Sequence, residues 1–279
     1  MKKMMCLLLA LITMLSMTAC GEKTSNRLEE IKKRGYIEVA TEPYFAPNEF
    51  IDPSKEGDDK YLGSDIMLMK AIAEEIGVEL KIVPLEFTAV LTGITTGKYD
   101  MAISAIAYSD ERAENMNLSN LYWSSGDDDS NGNGFLVRAE DIDKYTTIES
   151  LKDAVVAVQS GSVQETLVNE FITECKEIKR FSSTTDGFLA VQENRADVCI
   201  TQVGMGNLYA EANGNLLAIA SYRFPSDADK SGTVVALPKD GTDELMEIVN
   251  KVVDQVRSDG TFLKWDDEAK AQAKALGIE

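Results

Sequence analysis

The residues best suited to bind a small anion lie between Ser109 and Arg112. If Ser109 or Asp110 caps a helix, Arg112 lies in the first turn of that helix, where a cation is unfavourable unless an anion joins it. A planar guanidinium holds a carboxylate through two parallel hydrogen bonds, and free N–H groups at a helix N-terminus add donors. The alternative is a surface Arg that pairs with Glu111 or Glu114.

Aromatic and hydroxyl groups elsewhere in the chain could complete such a site. Phe45 and Phe87 could clamp an aliphatic ligand or the face of an ammonium group, although core packing is the commoner use of aromatic residues. Ser162 begins an S-x-x-E capping box with Glu165 and follows a Ser-Gly pair. This segment offers hydroxyl and amide donors, and capping is compatible with anion binding there.

The composition excludes several kinds of site. The 279 residues contain no His, which excludes Ser-His-Asp and Cys-His pairs, HExxH zinc sites and imidazole bases. A formal charge of −19 repels phosphate backbones, so we expect no nucleic-acid partner. The four Cys form no CxxC motif, and whether Cys175 and Cys199 pair stays open. Neither a Rossmann fingerprint nor a P-loop is present, and we expect no cofactor and no metal.

One spacing nevertheless matches a calcium loop of the form D-x-[DN]-x-[DN]-G-x5-E. The matching residues are Asp129, Asn131, Asn133, Gly134 and Glu140. The flanks argue against calcium, because no helix is predicted before the loop. Residues 135–138 are predicted to be extended, and an extended segment carries Glu140 away from the other ligands. A solvated acidic loop is the preferred interpretation, and calcium binding is the alternative.

The first twenty residues are typical of a secretory signal. Lys2 and Lys3 precede an apolar stretch over residues 4–17, and the small Ala19 comes directly before Cys20. This stretch is shorter than the roughly 20 residues that a membrane-spanning helix needs. We therefore predict a lipoprotein signal peptide over residues 1–19, an acylated Cys20 and a tether over 20–26, with an uncleaved anchor as the alternative. The mature protein is then anchored by lipid at the outer face of the cell membrane.

Alternating strands and helices predict two α/β units. In the first, strands are predicted at Tyr36–Thr41, residues 78–82 and Met101–Ala107, the last buried on both faces, with a helix ending at Gly77 between the first two. In the second, strands are predicted at Val155–Gln159, residues 178–181 and residues 198–202. The motifs Lys98-Tyr99-Asp100 and Arg195-Ala196-Asp197 precede the third strand of each unit.

The repeat predicts an α/β fold of two lobes, each built on a mostly parallel sheet and joined by two hinge strands. Loop-like composition places the crossings at residues 126–134 and 226–231. Lobe 1 then comprises residues 27–131 and 232–279, and lobe 2 comprises residues 136–228. A tail strand at 233–237 and a helix after it complete the first sheet.

The polar and aromatic candidates all follow strands. Glu42 and Phe45 come after the first strand, Phe87 after the second, Arg112 after the third, and Ser162 after the first strand of the second unit. Small molecules bind beyond the carboxyl ends of parallel strands. The sequence therefore predicts one cleft between the lobes.

From Tyr36 onward the chain resembles a type II periplasmic solute-binding protein of the amino-acid family, the receptor component of an ABC importer. The segments that carry the resemblance are YIEVATEPYFAPNEF, GSDIMLMKAIAEEIGVEL, TTGKYDMAISAIAYSDERAE, VVAVQSGSVQETL, NRADVCITQ and KVVDQVRSDGTFLKW. They span nearly the whole mature length.

The resemblance implies a role for each candidate. Arg112 binds the ligand carboxylate, with Ser162 as the contact from the second lobe, while Phe45 and Phe87 form aromatic walls. Ala105 and Ala107 match the backbone and hydroxyl contacts that precede the Arg.

Two departures from the family pattern concern the ligand. Ala107 stands where Thr is common, so one hydroxyl is lost, and Ser109 is a candidate substitute. Gln202 stands where an Asp usually binds the ligand's ammonium group, and Glu42 is the acid that could replace that charge. The resemblance thus leaves open an amino acid held differently or a carboxylate without an α-amine.

The combined expectation is a monomeric, lipid-anchored receptor that captures a small polar ligand, an amino acid, between two lobes and delivers it to a membrane ABC permease. Binding without chemistry is expected. The alternative is a dehydratase-like enzyme of the same fold, in which Glu42 is the general acid or base.

Overall fold

The computed structural model describes residues 26–124, 132–225 and 232–278. Nine α-helices lie in these ranges: α1 Arg27–Arg34, α2 Ser64–Ile76, α3 Phe87–Thr95, α4 Asp110–Asn115, α5 Val163–Phe171, α6 Thr184–Gln192, α7 Val203–Ala212, α8 Asp243–Ser258 and α9 Thr261–Leu276. Four of these helices begin at a side-chain cap, and three end at a Gly in the left-handed conformation. Asn26 accepts hydrogen bonds from the first turn of α1, and Gly35 ends that helix in the left-handed conformation.

Twelve strands lie in the same ranges: β1 Tyr36–Thr41, β2 Phe50–Ile51, β3 Tyr61–Leu62, β4 Glu79–Pro84, β5 Met101–Ala102, β6 Met116–Ser124, β7 Asn133–Arg138, β8 Val155–Gln159, β9 Glu177–Phe181, β10 Val198–Gln202, β11 Leu217–Arg223 and β12 Gly232–Pro238. They form two five-stranded sheets and one short β2–β3 pair.

The two sheets confirm the predicted pair of α/β lobes. The first has the order β4-β1-β5-β12-β6 and the second β11-β7-β10-β8-β9. In each, three strands of a βαβ repeat pair in parallel, and two further strands pair antiparallel. Both sheets are therefore mixed, because the strands that enter and leave a lobe add antiparallel edges to the parallel repeat.

The chain passes between the sheets twice. It leaves the first sheet at Ser124 and enters the second at Asn133, and it returns between Arg223 and Gly232. β6 pairs with β12, and β7 pairs with β11, so the described strand ends that flank the two crossings lie side by side. The crossing segments themselves fall largely outside the described residues, as does Cys20.

The calcium-loop match is only partly within the described residues, since Asp129 and Asn131 lie outside them. Asn133 and Gly134 belong to β7, and the chain stays extended to Arg138, as predicted. No cluster of three or more acidic, Cys or His residues suited to a metal occurs in the part of the chain that the structure describes.

The third strand of the first lobe is much shorter than predicted. The expectation of a strand over Met101–Ala107 was wrong beyond Ala102, where β5 ends. Ala105 has a φ of 44°, a left-handed conformation that breaks the strand. Ala107 pairs with Thr233 only through an isolated bridge. The segment that follows β5 is thereby turned toward the space between the lobes.

Each lobe has its own apolar core. In the first, Ile37 and Val39 of β1 pack with Ile72 of α2 and Val249 of α8. In the second, Val156 and Val158 of β8 are fully buried. Cys175 and Cys199 are both free thiols. Within the described ranges, no helix is both long and apolar enough to cross a bilayer.

The equivalent Asp residues of the two units perform the same task. Asp100 accepts a hydrogen bond from the Glu38 N–H of β1 at 2.7 Å, and Asp197 accepts one from the Val155 N–H of β8 at 2.8 Å. Asp100 forms ion pairs with Arg27 and Arg34, and Asp197 pairs with an Arg of its own lobe. The repeated motif in the sequence therefore corresponds to a repeated hydrogen bond, from an N–H of the first strand of each unit to the Asp that precedes the third strand.

Replacing Asp100 by Ala should lower the free energy of unfolding by about 2–3 kcal/mol, because a buried carboxylate that accepts charge-assisted hydrogen bonds is lost. Asp197→Ala is the matched control, and it should cost less, since Asp197 is partly exposed. Urea denaturation of both variants measures the difference. An equal or larger loss for Asp197→Ala would contradict this assignment.

Candidate functional site

A cavity of about 750 Å³ lies between the two lobes, beyond the carboxyl ends of the parallel strands. Residues of both lobes line it. All eight residues predicted for ligand contact lie on its wall: Glu42, Phe45, Phe87, Ala105, Ala107, Arg112, Ser162 and Gln202. The structure thus brings the whole predicted set together.

Arg112 lies in the first turn of α4, as predicted. The Ser109 hydroxyl caps this helix by accepting from the Arg112 N–H at 3.2 Å. The guanidinium donates from Nη1 to the Ala107 carbonyl at 2.5 Å and from Nη2 to the Gly161 carbonyl at 3.0 Å. Ala107 belongs to the first lobe and Gly161 to the second, so Arg112 connects the two.

The surroundings of Arg112 are poor in compensating charge. Burial lowers the pKa of its guanidinium to about 10, opposed by the nearby Glu111 charge. The group stays cationic at neutral pH. Among the described residues, Arg112 forms no ion pair, so the surface interpretation with Glu111 or Glu114 as a salt-bridge partner does not hold. A half-buried cation with unused N–H donors is suited to an anionic ligand.

The two aromatic walls have structural roles as well. Phe87 is buried at the start of α3, and its ring centroid lies 5.6 Å from the Arg112 guanidinium carbon. Phe45 is half-buried and packs against the core of the second lobe around Phe188 and Met205. Core packing and cavity lining therefore coincide in both residues.

The N-terminus of α5 forms the opposing wall. The Ser162 hydroxyl accepts from the Glu165 N–H at 3.1 Å and donates to the Gln159 carbonyl at 2.7 Å. The Glu165 carboxylate accepts from the Gly161 N–H, one residue before the cap, at 2.7 Å. The hydroxyl of Ser162 is thus used in capping. Val163 and Gln164 of the first turn line the cavity, and first-turn N–H groups have no partner within their own helix.

Gly161 lies at a point of contact between the two lobes. Its φ of 74° is left-handed, and a Cβ at this position would come within 3.0 Å of the Thr88 side chain of α3. A residue with a side chain would be strained in this conformation and would crowd the other lobe. Gly161 therefore allows Arg112 and the start of α5 to meet.

Glu42 is a buried acid on the cavity wall, only 3% exposed. Its carboxylate accepts from the Gln159 side-chain amide of the second lobe at 2.8 Å. Burial raises its pKa to about 7, with smaller contributions from the negative charges of Asp186 and Glu86. The Gln159 hydrogen bond partly opposes that rise. Glu42 is a poorly neutralised acid suited to a cationic group.

The remaining predicted residues contribute mainly backbone or neutral groups. The Ala105 N–H donates to Asp65 at 2.8 Å, and the Ala107 carbonyl holds Arg112. Gln202 ends β10 and faces the cavity as a neutral amide. Ser109 is used as a helix cap and is absent from the cavity wall, so the expectation that it replaces the missing hydroxyl at Ala107 was wrong.

Several wall residues escaped the sequence interpretation. Gln159 and Ser104 line the cavity beside Glu42. Gln159 is the last residue of a predicted strand, which is the signal that could have found it, whereas Ser104 lies inside the predicted strand over Met101–Ala107. Residues of α7 and α9, such as Leu208 and Asp266, line it as well. Nothing in the local sequence of these helices distinguishes their cavity-facing side chains from ordinary surface positions.

The cavity wall carries a cationic group, Arg112, and an acidic group, Glu42. Arg112 with the N-terminus of α5 favours a carboxylate, and Glu42 favours a cation. The rings of Phe45 and Phe87 also line the wall. The arrangement suits a small zwitterionic molecule with an apolar section.

Comparison with known proteins agrees with this geometry. A model of the bacterial extracellular solute-binding proteins, family 3, matches residues 37–268. The arginine-binding extracellular protein ArtP of Bacillus subtilis (strain 168) is 27% identical over 269 residues, which cover 95% of this chain and 96% of that relative.

Two solved structures extend the likeness. An amino acid ABC transporter substrate-binding protein from Streptococcus pneumoniae Canada MDR_19A, bound to L-arginine, is 32% identical with a TM-score of 0.79, covering 88% of this chain and 98% of the other. The ancestral amino-acid-binding protein AncCDT-1, a precursor of cyclohexadienyl dehydratase, is 30% identical with a TM-score of 0.72, covering 86% and 98%.

Proposed function

The chain belongs to the bacterial extracellular solute-binding proteins of family 3, and we propose that it captures a cationic amino acid of the arginine class for an ABC importer. The observation that carries the proposal is the placement of Arg112 and the buried acid Glu42 on the wall of one cavity between two lobes. A ligand with a carboxylate and a distal cation satisfies both groups. Relatives that bind arginine support the same ligand class.

The carboxylate end is assigned to Arg112 and the start of α5. Arg112 already contacts the carbonyl of Gly161, which directly precedes the helix cap. A carboxylate beside the guanidinium would therefore be within reach of the first-turn N–H groups of α5. Because these donors belong to different lobes, the ligand would bind both lobes only when they are together, and it would thereby favour closure.

The cationic end is assigned to Glu42. The acid is buried beside the neutral amide of Gln159, so a guanidinium or ammonium group would supply the missing positive charge. Phe45 and Phe87 would contact the aliphatic section. Gln202 would contribute a carbonyl oxygen to the α-ammonium group, a weaker partner than a carboxylate.

We further propose the cellular arrangement that the sequence predicts. Residues 1–19 would be removed, Cys20 would carry the lipid, and residues 20–26 would tether the lobes outside the membrane. Residues 27–131 with 232–279 would form one lobe and residues 136–228 the other. The monomer would deliver its ligand to a membrane permease of the ABC type.

A dehydratase-like activity is the second candidate, and one observation favours it. Glu42 has a pKa of about 7 inside the cavity, which suits a general acid or base. The structural neighbour that precedes a dehydratase is itself described as an amino-acid-binding protein. We therefore propose binding without a chemical step.

Arg112→Ala should weaken L-arginine binding by at least about a hundredfold, because one partner of a desolvated charge pair is removed. Ligand-dependent thermal stabilisation, measured with and without L-arginine, gives the loss. Arg195→Ala, which removes a surface Arg paired with Glu193, is the control and should leave the stabilisation intact. Undiminished stabilisation in the Arg112 variant would remove this residue from the site.

The affinity for L-arginine should rise about tenfold between pH 6 and pH 8, because Glu42, whose pKa is raised to about 7, ionises over that range and attracts the cation. In the ligand-free protein, the free energy of unfolding has the opposite pH dependence. The folded state holds the Glu42 proton more tightly than the unfolded state, so the free energy of unfolding falls as the pH rises from 4.5, the ordinary pKa of the group, to its folded pKa of about 7.

Isothermal titration calorimetry at several pH values measures the pH dependence of affinity. The two ligands are L-arginine and L-citrulline, an analogue with a neutral side chain. The rise should be confined to L-arginine, and Glu42→Gln should remove it. Parallel pH profiles for the two ligands would contradict the assignment of the cation to Glu42.

A further inference from the structure

Two buried acids lie directly behind the cavity wall. Glu49 precedes β2, and Asp65 lies in the first turn of α2. Both are completely inaccessible to solvent. Neither lines the cavity, and the ligand-binding scheme above uses neither of them.

Asp65 is surrounded by hydrogen-bond donors. Its Oδ2 accepts from the Ala105 N–H at 2.8 Å and from the Tyr122 hydroxyl at 2.8 Å. Its Oδ1 accepts from the Asn48 side-chain amide at 3.3 Å. A carboxylate that receives this many hydrogen bonds is stabilised in its ionised form.

Glu49 has the opposite environment. Its Oε1 accepts from the Ser104 hydroxyl at 3.2 Å. Its Oε2 receives no hydrogen bond from any donor in the described part of the chain. The two acids are neighbours in the fold, because the consecutive residues Ser104 and Ala105 donate to Glu49 and to Asp65. An oxygen without a donor beside a carboxylate is the position expected of a protonated O–H.

The charge balance leads to the same conclusion. Among the described residues, no Lys or Arg pairs with either acid, and the charges that act on Glu49 are the negative ones of Asp65 and Glu42. Two neighbouring buried carboxyl groups are not both stable as anions without a cation. Burial and the Asp65 charge raise the pKa of Glu49 well above its ordinary value.

We propose that Glu49 and Asp65 share one proton at neutral pH, Glu49 as the neutral acid and Asp65 as the carboxylate, and that this pair positions the binding segment Ser104–Ala105. The acid–carboxylate pair is thus a positioning device behind the site, without direct ligand contact.

The pair acts on two wall residues at once. Asp65 holds the Ala105 N–H while Ala105 adopts its left-handed φ of 44°, a conformation that persists only when its surroundings enforce it. Ser104, which donates to Glu49, accepts from the Glu42 N–H at 2.9 Å. Loss of the pair would displace both Ala105 and Glu42. This consequence for ligand binding rests on the proposed function, whereas the protonation state does not.

The other titratable groups facing the pair are Glu42 and Tyr122. Burial and the two nearby acids raise the pKa of the Tyr122 hydroxyl well above its ordinary value, so it remains a donor to Asp65. Glu42 ionises near pH 7, and its charge favours retention of the proton on Glu49. The proton is therefore lost only in alkaline solution.

Infrared spectroscopy tests the protonation state without any ligand. At pH 7 the wild-type minus Glu49→Gln difference spectrum should contain the C=O stretch of a protonated carboxyl group, and this band should vanish at alkaline pH. The band of Glu42 is common to both proteins and cancels. Absence of the difference band at pH 7 in the folded wild type would overturn the proposal.

Affinity for L-arginine tests the positioning role. Glu49→Gln keeps a donor toward Asp65 and an acceptor for Ser104, so its affinity should stay within about threefold of the wild type. Glu49→Ala and Asp65→Asn should each lose at least about tenfold, because a buried partner is removed or replaced by a group of the wrong polarity. Equal losses of affinity in Glu49→Gln and Glu49→Ala would refute the positioning role.

Two controls keep the outcomes separable. Thermal unfolding of each variant shows whether it is folded, and the infrared result on the wild type stands even if a variant fails to fold. Failure of the wild type to bind L-arginine would overturn the proposed function while leaving the infrared prediction in force.

Discussion

The guanidinium of Arg112 is held between the two lobes by carbonyl groups, and within the described chain no carboxylate neutralises it. Its donors reach Ala107 in one lobe and Gly161 in the other. A half-buried cation with only dipolar partners retains much of its capacity to bind an anion. The short strand β5, the left-handed Ala105 and the close approach of Gly161 all serve to place this group in the cleft.

The buried acids near the cleft have few cations beside them in the described part of the chain. Glu42, Glu49 and Asp65 are all buried near the cleft, and burial raises the pKa of each. The innermost pair can retain a proton because Asp65 takes the hydrogen-bond donors. Glu42, nearer the cavity, ionises close to neutral pH and is the acid left for a ligand. The position of each acid relative to solvent thus separates a structural role from a binding role.

Local signals predicted much of this architecture. Capping residues such as Asn26 and Ser162 and the C-terminal glycines located the helices, and the repeat ending in Asp100 and Asp197 indicated two equivalent units. Candidates that followed strands converged on one cavity because the carboxyl ends of parallel strands meet at one edge. These features depend on near neighbours in the sequence, where a single chain is informative.

What the sequence did not show depends on distant contacts. An apolar run predicts a long strand over residues 101–107, but Asp65 forces Ala105 into a turn from 40 residues away. Ser109 was a candidate both for helix capping and for ligand contact, and only the fold showed that it caps the helix and does not line the cavity. Glu49 and Asp65 lie apart in the chain and resemble ordinary loop and helix-start acids, so their pairing required the fold.

A crystal structure grown with L-arginine tests the central claim most directly. The account predicts the ligand carboxylate beside the Arg112 guanidinium and the first-turn N–H groups of α5, with the ligand guanidinium beside Glu42. A ligand bound in the reverse orientation, or held elsewhere with Arg112 still on its two carbonyls alone, would contradict it.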